Sequence, residues 1–268
     1  MQFSVLMSVY KNELPDHFNA CFASLEKQTL QPNEIILVVD GVVSSDLYTV
    51  IKKWNERLNL KTIQLNRNVG LGSALNIGLQ HCQYKIVARM DTDDVCVSTR
   101  FEKQINFLLE NPEVCVLGTA VREFDETMSF SLGQRVNPLH YEEIKEMAKK
   151  RNPFNHMSVM FKRDMICSVG GYLHHAFMED YNLWLRVLAS GYKVGNLVEP
   201  LVYVRAGRSM IQRRKGLVYI SSEYKLFKLK LALGLDNRFM ASYIFILRAS
   251  ARMLPTKFLS KLYCFFRK

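Results

Sequence analysis

Apolar and polar positions follow two different periods along the first 90 residues. Apolar runs predict strands at 3–9, 34–39 and 85–90, and the shorter segment 61–65 is predicted to be the third strand. Between these runs, apolar residues recur every three or four positions, which predicts amphipathic helices. Regular alternation of strand and helix is typical of a largely parallel sheet with helices on both faces. In such α/β folds ligands bind beyond the carboxyl ends of the strands, so polar residues there are the candidates for function.

The pattern is more mixed beyond residue 110, but no linker interrupts the chain. It predicts strands at 114–119, 159–162 and 194–204 and helices at 141–151 and 182–190. From about residue 205 the chain is predicted to be helical and basic. We therefore expect a single mostly parallel central sheet within residues 1–204, flanked by helices, and a basic amphipathic helical tail at 205–268.

The net charge of +11 resides in this tail. Residues 205–268 carry 15 Lys and Arg but two Asp and Glu, a net charge of +13, which leaves residues 1–204 at −2. A segment this basic indicates a negatively charged partner such as anionic lipid, phosphate or nucleic acid. Basic and aromatic residues at helical spacing favour a membrane surface, and an ordinary solvated face is the alternative. The basic pairs are Lys225/Lys228, Arg248/Arg252 and Lys257/Lys261.

Cysteine usage and hydropathy bear on the compartment. The six cysteines form no CxxC pair and most lie in apolar runs, which is typical of reduced thiols in a cytosolic protein. No stretch reaches the roughly 18 apolar residues that a membrane-spanning helix needs. We therefore expect a cytosolic protein that is held at a membrane by its tail and not by a span.

Three carboxylates within four residues, Asp91, Asp93 and Asp94, follow the fourth predicted strand. Their mutual repulsion needs compensation by a cation or by hydrogen bonds, and carboxylate oxygens are ligands that Mg²⁺ and Mn²⁺ prefer. Such an ion would neutralise charge on a departing diphosphate. The alternative is an acidic turn that caps the helix predicted at 97–109.

Other candidate side chains lie elsewhere in the chain. Asp40 ends the second strand, where a carboxylate can accept hydrogen bonds from a nucleobase or ribose, although Asp-Gly is also a common turn. Glu179 and Asp180 precede an apolar helix, where one carboxylate is suited to be a general base and where acidic capping is the alternative. Trp184 on that helix is either a core aromatic or one that stacks on a sugar, and His156 lies in a Pro-flanked loop.

The first strand excludes a dinucleotide-binding Rossmann domain. It runs into Ser8, Val9 and Tyr10 without a glycine, whereas that fold needs a Gly-rich turn at this point. The only GxG sequence, Gly70–Gly72, follows the third strand, and Leu75 stands where a third small residue belongs.

A series of motifs, in the order found in the family, resembles glycosyltransferase family 2, which has the GT-A fold. The motifs are FSVLMSVY at 3–10, DG at 40–41, NRNVGLGSALNIG at 66–78, ARMDTDD at 88–94, NPFNH at 152–156 and MEDYNLWLR at 178–186. ARMDTDD and NPFNH most resemble enzymes of the amylovoran type, which build O-antigen and exopolysaccharide repeat units. The resemblance implies a GT-A domain at 1–204, with a nucleotide-binding half at 1–110 and an acceptor half at 111–204.

The resemblance also implies roles for single residues. It places the uracil of a UDP-sugar on Asp40 and a metal ion, Mn²⁺ or Mg²⁺, on Asp91 and Asp93. It makes Asp180 the catalytic base, with Glu179 beside it. The expected nucleotide-sugar contacts are Ser8, Val9, Tyr10, Glu13, Asp40, Asn66, Gly70 and Asp91, and the expected acceptor or diphosphate contacts are His156, Trp184, Arg205 and Arg213.

Members of the family of this type invert the anomeric centre in a single in-line displacement. Processive members carry a QxxRW motif, and residues 212–216 here read QRRKG, so we expect transfer of one sugar. The resemblance implies a hexose, glucose or galactose, and an acceptor sugar on a lipid diphosphate of the GlcNAc-diphosphate-undecaprenol type. With the basic tail, it implies a peripheral enzyme at the cytoplasmic face of the bacterial inner membrane.

Two other classes of protein fit the sequence less well. The segment Asp91–Val95 fits the nucleophile motif of haloacid dehalogenase-type phosphohydrolases, but that motif follows the first strand of its sheet and this segment follows the fourth. A nucleic-acid-binding protein would carry stacking aromatics on an exposed sheet or groove, whereas the tail aromatics fall at helical spacings. We therefore expect no nucleic-acid partner.

Overall fold

The alternation of strand and helix predicted for the first half is confirmed. The computed structural model describes residues 1–206 and 216–253. Its strands are β1 (Phe3–Val9), β2 (Glu34–Val39), β3 (Leu60–Gln64), β4 (Ile86–Arg89), β5 (Val95–Cys96), β6 (Val114–Phe124), β7 (Ser131–Arg135), β8 (Met160–Lys162) and β9 (Lys193–Arg205). Its helices are α1 (Pro15–Glu26), α2 (Ser45–Asn55), α3 (Leu71–His81), α4 (Arg100–Glu110), α5 (Tyr141–Lys150), α6 (Arg163–Ser168), α7 (Glu179–Ala189), α8 (Leu217–Ala232) and α9 (Arg238–Met253).

The described strands form one sheet in the order β3-β2-β1-β4-β8-β6-β9-β5, with β7 paired to β6. The pairs among β1 to β4 are all parallel, so the carboxyl ends of these strands meet at one edge. Strand β8 runs antiparallel to β4. The residues that lead into β8 therefore lie at the same edge as the residues that follow β4, which brings the loop at 152–158 to the acidic cluster.

The sheet is covered on both faces, and alternate residues of its strands enter two separate apolar layers. Met7 packs in the layer that contains Phe101, and its neighbour Leu6 packs in the layer that contains Trp184. Because both faces of the central strands are buried, their sequences are continuous apolar runs and do not alternate. This is why the sequence pattern located these strands so closely.

Helix α7 begins earlier than predicted. The apolar pattern placed its start at residue 182, but the helix starts at Glu179, and Glu179 and Asp180 lie in its first turn. The chain enters it through Phe177, whose φ of 65° is uncommon for a residue other than glycine. The pattern also missed β7, because all its residues except Arg135 are exposed and carry no apolar period.

The tail packs on the rest of the protein. Tyr219 and Leu226 of α8 belong to the same apolar layer as Trp184. Glu223 of α8 is 3% exposed and forms ion pairs with Arg248 and Arg252 of α9.

Helix α8 thus shares an apolar layer with the domain at 1–204. The ion pairs correct one expectation about the tail. Arg248 and Arg252, expected on a membrane-facing surface, are turned inward onto Glu223. No helix among the described residues is long and apolar enough to span a bilayer.

Candidate active site

The acidic cluster forms directly after β4. Carboxylate oxygens of Asp91, Asp93 and Asp94 lie within 4.8 Å of one another. Burial, and then the charge of Asp91, raises the pKa of Asp93 above its ordinary value. Burial and the charges of both neighbours raise the pKa of Asp94 still further. The cluster is therefore an unfavourable place for three negative charges unless a cation is bound.

The three carboxylates do not have equal access to solvent. Asp94 is 2% exposed and accepts a hydrogen bond of 3.0 Å from the backbone N–H of Arg205 at the end of β9. Asp91 and Asp93 are only partly buried. A divalent ion such as Mg²⁺ or Mn²⁺ therefore fits the cluster, because hard oxygen ligands converge there and two of them remain accessible.

Arg89, the last residue of β4, is a buried cation that sequence analysis missed. Its side chain is fully buried and forms an ion pair with Asp91. It also donates to the carbonyl oxygen of Met90. Its Nε has no hydrogen-bond partner among the described residues. A single arginine in an otherwise apolar strand, Ile86–Arg89, is the sequence signal that could have drawn attention to it.

The Glu179–Asp180 pair lies in the first turn of α7. Asp180 accepts a hydrogen bond of 2.6 Å from Nδ2 of Asn152, in the loop that leads to β8. Burial, and then the charge of Asp180, raises the pKa of Glu179 to about 8. A Cβ at Gly72 would lie 2.8 Å from Cβ of Glu179. Glycine at position 72 is therefore what allows α3 to approach the first turn of α7.

Electrostatic interactions show that the cluster and the pair share one site. The charge of Asp91 raises the pKa of Glu179, and the charge of Arg89 lowers it. The Arg89 charge also lowers the pKa of Asp93 and Asp94. Charges 88 positions apart in the sequence therefore affect one another, and the buried guanidinium of Arg89 acts on both groups.

Glu13 joins the same site from the loop that follows β1. Its carboxylate accepts a hydrogen bond from Thr92. Burial is the largest cause that raises its pKa to about 7, and the charges of Asp93 and Asp91 add to the effect. The expectation that Glu13 lies near the nucleotide-sugar site thus has a structural basis in its contact with the acidic segment.

Asp40, at the end of β2, is tied to the loop that precedes α3. It is 3% exposed, and it accepts hydrogen bonds of 2.7 and 3.1 Å from the backbone N–H groups of Val69 and Gly70. Nδ2 of Asn68 donates a third, of 2.9 Å. Both oxygens of Asp40 are therefore engaged in holding the loop that precedes α3. Asn68, and not the exposed Asn66, is the asparagine that contacts it.

The loop after β1 lies beside Asp40. The backbone N–H of Asp40 donates to the carbonyl oxygen of Val9. The side chain of Val9 is buried, so only its backbone is available to a ligand, whereas Ser8 is half-buried and Tyr10 is exposed. Ser8 and Tyr10 therefore remain candidates for contacts with the nucleotide.

Two residues expected at the acceptor are buried in the core. Trp184 is 0% exposed, with its ring against Phe154 at 5.3 Å. It presents no free face to a sugar in this structure, which corrects the expectation of a stacking contact. His156 is 8% exposed, and its Nε2 lies 3.0 Å from the hydroxyl of Tyr172. Burial holds the pKa of His156 well below its ordinary value, so the imidazole is neutral.

Arg205 lies at the acidic cluster, as expected of a residue near a diphosphate. Its Nε donates to the backbone oxygen of Asp93 at 2.8 Å, and its Nη1 donates to that of Glu126 at 2.6 Å. The guanidinium is therefore held at the rim of the cluster by backbone groups. Arg213, the other arginine expected there, lies outside the described residues.

The sequence is similar to bacterial polysaccharide enzymes along its whole length. The family model described as glycosyl transferase family 2 matches residues 4–168. The amylovoran biosynthesis glycosyltransferase AmsE of Erwinia amylovora is 46% identical, over 97% of this chain and 97% of its own. The UDP-Gal:alpha-D-GlcNAc-diphosphoundecaprenol beta-1,3-galactosyltransferase of Escherichia coli is 36% identical, over 98% of this chain and 95% of its own.

Solved structures confirm the GT-A fold. The structure of S. aureus TarS 1–349 in complex with UDP-GlcNAc has a TM-score of 0.68 and 17% identity, and the match covers 94% of this chain and 74% of that one. The mannosyltransferase PcManGT from Pyrobaculum calidifontis, in complex with GDP-Man and Mn²⁺, has a TM-score of 0.59 and 16% identity, over 99% and 80% of the two chains. The phosphohydrolase alternative is therefore wrong. The family match and the identity to curated relatives show that this chain belongs to glycosyl transferase family 2.

Proposed function

We propose that this protein transfers a single hexose from a UDP-sugar to a sugar carried on a lipid diphosphate during assembly of a bacterial O-antigen or other surface polysaccharide. The pathway of one relative and the substrates of another support the proposal. AmsE belongs to amylovoran biosynthesis, and the E. coli relative uses UDP-Gal and a GlcNAc-diphosphoundecaprenol acceptor. Galactose is therefore the hexose to test first, with glucose second.

The acidic cluster is the proposed site of Mn²⁺ or Mg²⁺. The oxygens of Asp91 and Asp93 would hold the ion, and Asp94 would support them from its buried position. When bound, the ion would stabilise the negative charge of the departing UDP. The complexes of TarS with UDP-GlcNAc and of PcManGT with GDP-Man and Mn²⁺ show that the same fold accommodates such ligands. Arg205 at the rim is placed to contact the diphosphate.

Asp180 is the proposed base that takes the proton from the attacking acceptor hydroxyl. Asn152 fixes one of its oxygens at 2.6 Å. Burial, and then the charge of Asp180, raises the pKa of Glu179 to about 8, which makes Glu179 the less suitable base of the two at neutral pH. A single base suffices for direct attack on the anomeric carbon, and a single displacement inverts its configuration.

Transfer of one sugar and location at a membrane are parts of the same proposal. The absence of the QxxRW sequence at 212–216 supports a non-processive enzyme. A lipid-linked acceptor and a tail with a net charge of +13 support peripheral attachment to the cytoplasmic face of the inner membrane.

The observation that carries the proposal is the convergence of the acidic cluster and the Glu179–Asp180 pair around Arg89 in a chain of this family. The test is a donor screen with purified protein and a synthetic GlcNAc-diphosphate-lipid. UDP-galactose, UDP-glucose, UDP-GlcNAc and UDP-GalNAc are compared with Mn²⁺, with Mg²⁺ and with EDTA. Metal-dependent release of UDP with one hexose donor is expected. Calorimetry that detects no binding of any of the four donors in the presence of metal would overturn the proposal.

A further inference from the structure

Helix α9 has one buried face and one exposed apolar face. Its buried face carries Ala241, Ile244 and Arg252, each at most 8% exposed, and packs toward α8. The opposite face is apolar although it is exposed. We call it the α9 stripe, and it consists of Phe239 (90% exposed), Tyr243 (63%), Ile246 (61%), Leu247 (58%) and Met253 (77%).

Large apolar side chains are concentrated in this part of the protein. Nine of the 22 that are exposed in the described residues lie on α8 and α9. Scattered apolar residues on a surface are ordinary, but a contiguous set at helical spacing marks a contact surface. We therefore expect another surface to cover the stripe.

The charges around the stripe indicate what that surface is. Lys225, Lys228 and Arg238 are exposed on α8 and α9, and residues 216–253 have no exposed Asp or Glu. The net charge of +13 over 205–268 would repel a second copy of the same surface. An apolar face flanked by cations matches the interface of a bilayer that contains anionic phospholipid.

The face of α9 opposite the stripe is linked to the segment that leads into α7. Near the C-terminal end of α9, Arg252 lies over the ring of Tyr219 at 4.4 Å, and Tyr219 stacks on Phe177 with the ring centroids 5.4 Å apart. Phe177 lies two residues before Glu179. These contacts fix α9 to the rest of the protein through its buried face and leave the stripe free to face outward.

We propose that the α9 stripe inserts into the interface of an anionic phospholipid bilayer and so holds the protein at the membrane that carries the acceptor. The inference rests on the proposed function for the acceptor alone, because the binding of the stripe to lipid does not depend on catalysis. It goes beyond a general attraction of the basic tail by assigning the contact to particular apolar side chains.

The test compares the full-length protein with the double variant Phe239→Glu/Ile246→Glu in flotation assays. Vesicles contain either phosphatidylglycerol with phosphatidylethanolamine or phosphatidylcholine alone. We expect wild type to bind the anionic vesicles, less strongly at high salt, and the variant to bind about 100-fold more weakly, since each buried side chain contributes about tenfold or more. The matched control is Leu109→Glu/Val198→Glu, which makes the same change at exposed sites on α4 and β9, away from α8 and α9.

Transfer assays complete the test. With acceptor embedded in anionic vesicles, the stripe variant should lose most of its activity, while with a water-soluble short-chain acceptor it should equal wild type. Vesicle binding by the variant equal to that of wild type would overturn the proposal. So would a wild-type dimer that ignores vesicles and becomes monomeric in the variant, because the stripe would then join two copies. Absence of transfer with both acceptor forms, together with normal vesicle binding, would count against the proposed function and leave the stripe assignment standing.

Discussion

The two acidic groups of the site use the same side-chain chemistry for different purposes. Asp91, Asp93 and Asp94 follow a strand, where their oxygens converge and where burial and mutual repulsion raise the pKa of Asp93 and Asp94. Glu179 and Asp180 occupy the first turn of α7, where the helix dipole favours negative charge. The two backbone settings differ, and the proposed roles differ with them: a cation site for the first group and a base for the second.

Arg89 explains how both groups occupy one cleft. Its buried guanidinium pairs with Asp91 and lowers the pKa of Glu179, Asp93 and Asp94. A buried positive charge that acts on both groups lowers the cost of their negative charges when no ion is bound. The cluster, the pair and the arginine therefore have three distinct proposed roles, which are metal binding, proton acceptance and charge compensation. Each role can be tested separately.

The largest expected loss of activity comes from substitution of Asp180, the proposed base. Asp180→Asn keeps the size of the side chain but removes the proposed base, so kcat for transfer should fall by about 100- to 10,000-fold. Binding of UDP and Mn²⁺, measured by calorimetry, should match wild type. A parallel loss of metal-dependent nucleotide binding would show that the two acidic groups are not functionally distinct.

Substitution in the acidic cluster should impair metal-dependent nucleotide binding, which substitution of Asp180 should leave intact. Asp93→Asn should abolish the enhancement of UDP binding by Mn²⁺ and lower kcat/KM by about 100- to 1,000-fold. The metal-free variant should be more stable than metal-free wild type at pH 8, on the order of 1 kcal/mol, because a buried charge that is repelled by Asp91 has been removed. Thermal melts in EDTA measure this difference, and a lower melting temperature for the variant would contradict the role given to Asp93.

Substitution of Arg89 should have a smaller effect on kcat, and it should also affect binding of the donor. Arg89→Met should lower kcat by about 10- to 100-fold and also raise KM for the donor, because Asp91 loses the partner that orients it. Arg89→Lys keeps the charge without the planar fork and should recover part of kcat. If circular dichroism shows that both variants are folded and their kcat and KM values are equal, the charge of Arg89 has no role in the reaction.

The smallest effect concerns pH. Burial first, and then neighbouring charge, raises the pKa of Asp93 to about 6 and that of Glu13 to about 7. The metal-free protein therefore binds extra protons, and its stability should fall as the pH rises from about 4 to about 7. Mn²⁺ binds deprotonated carboxylates, so the increase in melting temperature that it produces should be larger at pH 8 than at pH 6. The difference should shrink in Asp93→Asn.

Sequence analysis located those residues whose position at the end of a strand or the start of a helix follows from the local apolar pattern. Both acidic groups were found because each adjoins an apolar run, and the strands were found because both faces of the sheet are buried. Asp40 was also found, but its engagement with Val69 and Gly70 depends on a loop 29 residues away and has no local signal.

Side-chain direction was the property that local pattern did not determine. For Trp184 the sequence left a core position and a contact with a sugar open, and the structure shows the core position. Arg248 and Arg252 were expected to face a membrane, and the buried Glu223 turns them inward. Arg89 was overlooked because its burial, and its effect on Glu179 of a distant segment, appear only in the folded chain.

The location of the metal ion is the most direct test of the division between the two acidic groups. The measurement is anomalous diffraction at the manganese absorption edge from crystals of the wild-type protein grown with Mn²⁺ and UDP. The account predicts one anomalous peak within coordination distance of Asp93 and Asp91, with UDP beside it and Asp180 bound to no metal. A peak between Glu179 and Asp180, or full UDP density with no peak at the cluster, would contradict it.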